Sequence, residues 1–219
     1  MRSVHTAAVL ALLLVVPMLS SCASSNDAAP ATTGSGATCS YPPAAEAAAK
    51  KVAPPSGIEP NTGTATVSLS LTGGDVTIAM DKSKTPCTVG SFVHLVTAGY
   101  FDGTPCHRLT TAASLKVLQC GDPTGKGSGG PGYQFDDETD PTMKYPAGTV
   151  AMANSGPNTN GSQFFLVYAA STLPPSYTVF GKITGGLPVL TKIAAAGVTG
   201  GGSDGAPTKP ILITKATTA

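Results

Sequence analysis

The first clear hydrophobic period along the chain begins at Thr64. From there Ala65, Val67, Leu69 and Leu71 alternate with Thr and Ser, the two-residue repeat of a strand with one buried face. Gly73-Gly74 supplies a turn, and Val76, Ile78 and Met80 alternate again, so the two runs read as a hairpin. Pro86 suits the first turn of a helix, where its missing N–H costs nothing. Val89, Phe92, Val93 and Val96 then recur at helical spacing, and Gly99 stands at the stop position. Further strands are predicted at 105–109, 115–121, 133–135, 148–153, 164–168 and 179–183. A short helix is predicted near 187–195 and a closing strand at 211–214. Many short strands with two isolated helices predict an all-β-dominated domain over 64–219. Its expected form is a closed β-barrel with the helices over its open ends, since closure removes exposed strand edges.

Upstream of Thr64 the pattern is different. Arg2 and His5 precede an apolar run from Ala7 to Leu19. That is the length of a signal-peptide core, and it falls short of the roughly 20 apolar residues that cross a bilayer as a helix. Leu19-Ser20-Ser21-Cys22 closes the run and resembles the lipobox of bacterial lipoproteins. The resemblance implies a signal peptide over 1–21, cleaved before Cys22, and lipidation of the Cys22 thiol. An ordinary secretory signal with a chance cysteine is the plainer alternative. Several acyl chains hold a protein firmly at a membrane, where one holds it marginally. The expected location is therefore the extracytoplasmic face of the cell membrane, with the lipid as the only membrane contact. Residues 22–63 are rich in Ala, Pro, Ser, Thr and Gly and nearly free of bulky apolar side chains. They bury too little to offset chain entropy and read as a disordered tether. Residues 44–51 could form two helical turns, but with no apolar face to bury.

Composition narrows the function. Thirteen Lys and Arg against twelve Asp and Glu give 219 residues a formal net charge of +1. Such a chain has no basic face to track a phosphate backbone, so nucleic acid is not an expected partner. Beyond Cys22 the cysteines are Cys39, Cys87, Cys106 and Cys120, an even count that suggests disulfides in an oxidising compartment. Four cysteines allow three pairings. Cys106 and Cys120 flank a predicted hairpin and can face each other, which leaves Cys39 for Cys87. A zinc site of these thiols with His107 is the rival reading, but no C-x-x-C spacing supports it. No metal and no cofactor are expected.

Gly125-Lys126-Gly127-Ser128-Gly129-Gly130 satisfies G-x-G-x-x-G, yet Pro131-Gly132 follows where a dinucleotide site needs a helix. The run reads as a flexible loop. No serine lies in G-x-S-x-G, and beyond the leader only His94 and His107 remain. Asp136, Asp137 and Glu138 read as solvated surface. Hydrolytic acid–base chemistry has no apparatus here.

The run Met152-Ala153-Asn154-Ser155-Gly156-Pro157-Asn158-Thr159-Asn160-Gly161-Ser162-Gln163-Phe164-Phe165 resembles the cyclophilin signature nearly residue for residue. Ser91-Phe92-Val93-His94-Leu95 is similar to that family's first helix, His107-Arg108-Leu109 to the strand that presents its arginine, and Val179-Phe180-Gly181-Lys182 to its late strand. The resemblance spans about Thr64 to the C-terminus. It implies a closed eight-stranded antiparallel barrel capped by two α-helices and peptidyl-prolyl cis-trans isomerase activity on proline-containing polypeptides. It assigns the catalytic positions to Arg108, Gln119 and Phe165, and substrate contacts to Ala153, Asn154, Gln163, Leu173 and Tyr177. The sequence departs from the family between Arg108 and Gly121-Asp122, where it has about three residues more than usual. It also has no aromatic residue from Arg108 to Gly132. Val117, or else Leu115, is expected to complete the proline pocket in place of the family's phenylalanine. With no tryptophan in the chain, weak cyclosporin binding is expected, and a monomer is the expected state. The runners-up are a cyclophilin-like module or chaperone that grips proline segments without useful turnover and, from the anchor alone, a small-solute-binding lipoprotein.

Overall fold

A computed structural model describes residues 36–219. The expected signal peptide, Cys22 and the start of the expected tether lie outside the described residues. Two short strands, β1 (Gly36–Thr38) and β2 (Ile58–Pro60), pair antiparallel as a small ribbon. The hairpin follows as β3 (Thr64–Leu71) and β4 (Gly74–Asp81), in register along its whole length, and leads into α1 (Pro86–Thr97). Next come β5 (Thr104–Pro105), β6 (Arg108–Thr110), β7 (Val117–Cys120), β8 (Thr149–Met152), β9 (Phe164–Val167) and β10 (Val179–Gly185). Helix α2 (Leu187–Ala195), β11 (Asp204–Gly205) and β12 (Leu212–Thr218) complete the chain.

β3 to β12 form one antiparallel sheet of ten strands in the order β11-β6-β7-β9-β8-β10-β4-β3-β12-β5. It is a strongly curled half-barrel, not the closed eight-stranded barrel expected. The break falls inside the run predicted as one strand at 105–109. Pro105 has no N–H to donate, and the Cys106 N–H goes to the Ile211 carbonyl at 2.8 Å. The run is therefore split: β5 pairs with β12, while β6 pairs with β7 and β11. The strand predicted at 133–135 is also absent. Tyr133 and Phe135 are buried at 2% exposure, but their backbones make only isolated bridges, to Pro43 and Asn160.

Strand alternation sorts the side chains onto two faces. Leu109, Leu118, Cys120, Val150, Met152, Phe164 and Leu166 face the main core, where Phe92 of α1 meets Phe101, Phe164 and Phe180 at centroid distances of 4.9–5.2 Å. The alternate residues Val117, Ala151, Phe165 and Val167 face outward, under a second and smaller apolar cluster with Tyr145, Leu173 and Tyr177. β8 and β9 are therefore buried on both faces, which explains their unbroken apolar sequence.

The domain begins well before Thr64. A Cys39–Cys87 disulfide ties the N-terminal arm to α1, and the Tyr41 hydroxyl donates to the Cys87 carbonyl at 2.8 Å. Ala44 N–H donates to Gly132 O and Ala49 N–H to Gly130 O. From Gly36 onward the expected tether is thus part of the fold. A disulfide and main-chain hydrogen bonds hold it, together with its few larger side chains, Tyr41 and Val52, which pack against the main core. The acidic run is not simply solvated either: Glu138 accepts from the N–H groups of Cys87 and Thr88 and from the Thr88 hydroxyl, so it caps the start of α1.

Candidate functional site

One ladder row across the outer face holds the residues to which the sequence assigns catalysis. Arg108 on β6 stands opposite Gln119 on β7, Gln119 opposite Phe165 on β9, and Phe165 opposite Ala151 on β8. All four side chains point the same way, because residues facing each other across neighbouring strands share a face. A second disulfide, Cys106–Cys120, joins the two strands two residues before Arg108 and one residue after Gln119. It faces the core and leaves the opposite face for the site. The four thiols needed for the rival zinc reading are thus spent in two disulfides.

Arg108 is held on two sides. Nε and Nη2 donate to the two carboxylate oxygens of Asp204 at 2.8 and 2.7 Å, and Nη1 donates to Gln119 Oε1 at 3.1 Å. The bidentate pair raises the affinity of Arg108 for its proton and holds the Asp204 carboxyl below the usual carboxylate range. Three of the guanidinium's five N–H groups are engaged, leaving two for a ligand. Gln119 Nε2 donates onward to Gln163 Oε1 at 2.9 Å. The Gln163 amide nitrogen then donates to the Gly127 and Gly129 carbonyls. The glycine-rich loop expected to be flexible is thereby fastened at its tip. Asp122 fastens its base, accepting from the N–H groups of Thr124, Lys126 and Gly127. Gly121, with φ of +94°, brings the chain against the Ser162 carbonyl, where a Cβ would collide.

Beside Arg108 and Gln119 lies a small slot of about 60 Å³, walled by Leu115, Val117, Phe165, Leu173 and Tyr177. Leu115 and Val117, the two candidates the sequence offers for this wall, both line it. The Phe165 and Tyr177 rings meet nearly edge to face at 5.7 Å. Tyr145 braces this wall from beneath, its hydroxyl donating to the Tyr177 carbonyl at 3.0 Å and accepting from the Tyr177 N–H at 3.1 Å. A second, larger cleft of about 250 Å³ borders the same glutamines, lined by Ala153, Asn154, Gln163, the 127–134 segment and Ala44–Glu46 of the N-terminal arm. The Asn154 side chain donates to Ser176 O at 3.0 Å, while among the described residues no hydrogen bond engages its main-chain N–H or C=O. His107, next to Arg108, is turned away from this row. Its ring nitrogens are buried without partners among the described residues, and burial pushes its pKa down.

The structure thus brings together every residue assigned to the site from the sequence: Arg108, Gln119, Phe165, Val117, Ala153, Asn154, Gln163, Leu173 and Tyr177. Sequence reasoning missed Asp204 and Tyr145. Both belong to weakly patterned segments; β11 sets Asp204 opposite Thr110, and the bidentate side-chain pair shows that it reaches Arg108. Such an array has room for an apolar ring in the slot and free main-chain groups at Asn154 for an extended peptide, with two unengaged guanidinium N–H groups between them.

Residues 66–218 match the family described as cyclophilin type peptidyl-prolyl cis-trans isomerase/CLD. The "Probable peptidyl-prolyl cis-trans isomerase B" of Mycobacterium tuberculosis is 54% identical over 168 residues, covering 70% of this chain and 54% of that protein. Its namesake in Mycobacterium leprae is 51% identical over 179 residues, covering 75% of this chain and 61% of the relative. The chain therefore spans somewhat more than half the length of these relatives. A crystal structure of a cyclophilin-type isomerase from Cryptosporidium parvum aligns with a TM-score of 0.63 at 32% identity, over 72% of this chain and 98% of that one. The same protein solved in the presence of the dipeptide Ala-Pro aligns with a TM-score of 0.61.

Proposed function

Because the chain belongs to the cyclophilin-type peptidyl-prolyl cis-trans isomerase family, we propose that its site accelerates rotation about X-Pro bonds in exported polypeptides and so assists their folding. The barrier to that rotation is roughly 18–20 kcal/mol, because amide resonance is lost at the twisted midpoint. No covalent bond is made or broken, so the catalyst has only to bind the twisted amide better than either planar form. The slot takes the pyrrolidine ring, and the free main-chain groups of Asn154 pair with the substrate backbone. The two unengaged N–H groups of Arg108 meet the proline nitrogen, whose lone pair becomes an acceptor only when resonance is broken, or a neighbouring carbonyl. Because that lone pair appears chiefly in the transition state, the interaction lowers the barrier more than it tightens the ground state.

The observation that carries this reading is the single row of Arg108, Gln119 and Phe165 beside a slot of about 60 Å³. Its test is the cis-to-trans rate of a short Ala-Pro peptide, followed by protease-coupled absorbance or NMR exchange. The purified chain should accelerate it over the uncatalysed tens to hundreds of seconds, and a rate at the uncatalysed level would refute the proposal. Cyclosporin should bind weakly, since a chain with no tryptophan has no counterpart of the loop indole that the family resemblance assigns to that ligand. A dissociation constant in the low nanomolar range contradicts this.

We also propose that the protein acts as a lipoprotein, anchored through Cys22 on the outer side of the cytoplasmic membrane. The run Leu19-Ser20-Ser21-Cys22 after an apolar segment supports this, and two disulfides agree with an oxidising compartment. In bacteria fed labelled palmitate the wild-type chain should incorporate label and partition into detergent. Cys22→Ala should do neither, and equal labelling of the variant would sink the assignment.

A further inference from the structure

The N-terminal arm does more than lengthen the domain: it builds one wall of the larger cleft. Its fastenings fall on both sides of a short exposed crest. Before the crest stand the Cys39–Cys87 disulfide, the Gln134 N–H to Pro42 carbonyl bond and the Ala44 N–H to Gly132 carbonyl bond. After it, Ala49 N–H reaches Gly130 O, and Lys50 Nζ donates to the Gly99 and Tyr100 carbonyls. Between these anchors Glu46 faces the cleft. Among the described residues it is the one acidic side chain of the lining, the rest being small, amide, hydroxyl or aromatic. Among the described residues no salt bridge engages its carboxylate. Lys50 is committed to carbonyls elsewhere, and Lys126 on the facing loop is not part of the lining.

From this placement we propose that Glu46 sets the charge preference of the flanking-residue subsite, so that the preferred substrates carry Lys or Arg near the isomerised proline. The inference rests on the isomerase reading of the site. Gln119 borders both the proline slot and the cleft, and an extended peptide advances about 3.3–3.6 Å per residue. A side chain within one to three positions of the proline therefore reaches the cleft. A long aliphatic stem can lie along its small and apolar lining residues while the charged head stays hydrated at the rim beside Glu46. The carboxylate is exposed, so the preference is modest and is screened by salt. A Glu or Asp at the same substrate position meets a like charge and is disfavoured.

The test is a set of Ala-Pro peptides carrying Lys, Ala or Glu in turn at each of the three positions on either side of the proline, assayed with the whole chain. At one position the kcat/KM ratio of the Lys peptide to the Glu peptide should be about tenfold at low salt, the product of roughly threefold effects in each direction. The ratio should shrink in 0.5 M NaCl. In Glu46→Gln it should fall toward one, and in Glu46→Lys it should invert. A ratio unchanged in both variants, or near one at every position in the wild type, overturns the proposal. Absence of turnover on every peptide would instead refute the isomerase reading. In that case the same Lys-to-Glu ratio is read from peptide affinities by fluorescence titration, and the same two variants decide.

Discussion

Arg108→Ala should lower kcat/KM on an Ala-Pro peptide by about 10²–10³-fold, the usual cost of removing one preorganised donor to a charge that develops in the transition state. Most of the loss should appear in kcat. The slot of Leu115, Val117, Phe165, Leu173 and Tyr177 remains to bind the proline ring, and Asn154 remains to pair with the backbone. The fold should survive, because the Arg108 side chain is 38% exposed and its backbone pairing in β6 is kept. Thermal unfolding of the variant, measured alongside, separates lost chemistry from lost structure. A variant that keeps its fold and more than a third of wild-type kcat/KM would show that the guanidinium is not the catalytic group. Turnover would then be owed to the slot and the main-chain groups beside it. Arg108→Lys tests the geometry apart from the charge. An ammonium lacks the planar fork that pairs two edges of the guanidinium with Asp204 and Gln119, so it should recover only part of the activity.

What the sequence revealed and what it hid have one physical cause. Side chains that bury themselves leave a period, and contacts made by main chain or by single polar groups do not. The hairpin of β3 and β4, both helices and β9 were legible from apolar repeats alone. The outward set of Val117, Gln119 and Phe165 follows from strand alternation once the inward set of Leu118, Cys120 and Phe164 is known. The N-terminal arm was read as tether because hydropathy ignores what holds it: the Cys39–Cys87 disulfide and main-chain bonds such as that from Ala44 to Gly132. Tyr133 and Phe135 showed the reverse error, being buried like strand residues without a strand's ladder. Edge protection predicts closure of the barrel, but the 105–109 run divides its partners, β5 pairing with β12 and β6 with β7 and β11, and the sheet stays a curled half-barrel. The pairing of Glu138 with the start of α1 joins residues 50 and 51 positions apart. No local pattern signals such a contact.

Asp204 presents the same difficulty in functional form, since it lies in a Gly-Gly-Gly-Ser-Asp-Gly run with no apolar neighbour to predict a strand. Yet its carboxylate takes Nε and Nη2 of Arg108 at 2.8 and 2.7 Å, while Gln119 takes Nη1 at 3.1 Å. Two planar acceptors on different edges fix the rotation of the guanidinium plane, which a single glutamine cannot do. If Arg108 acts as proposed, Asp204 is a positioning residue for it, because small misplacements of a catalytic group are costly. Asp204→Ala should lower kcat about tenfold and leave KM within about twofold, since no part of Asp204 lines the slot. Asp204→Glu should restore part of the rate by offering a carboxylate from one methylene further away. Asp204→Asn should behave more like alanine, because its amide NH₂ would face guanidinium donors. The charge on Asp204 sets the pH window. The carboxyl is held below the usual range by Arg108, so the pair is complete above the ordinary carboxylate pKa of about 3.9 and is lost only as pH falls through its lower folded value. Wild-type kcat should therefore stay level from neutral pH down to about pH 5. If Asp204→Ala raises KM while leaving kcat intact, the residue contacts substrate instead of orienting Arg108, and the positioning role is wrong.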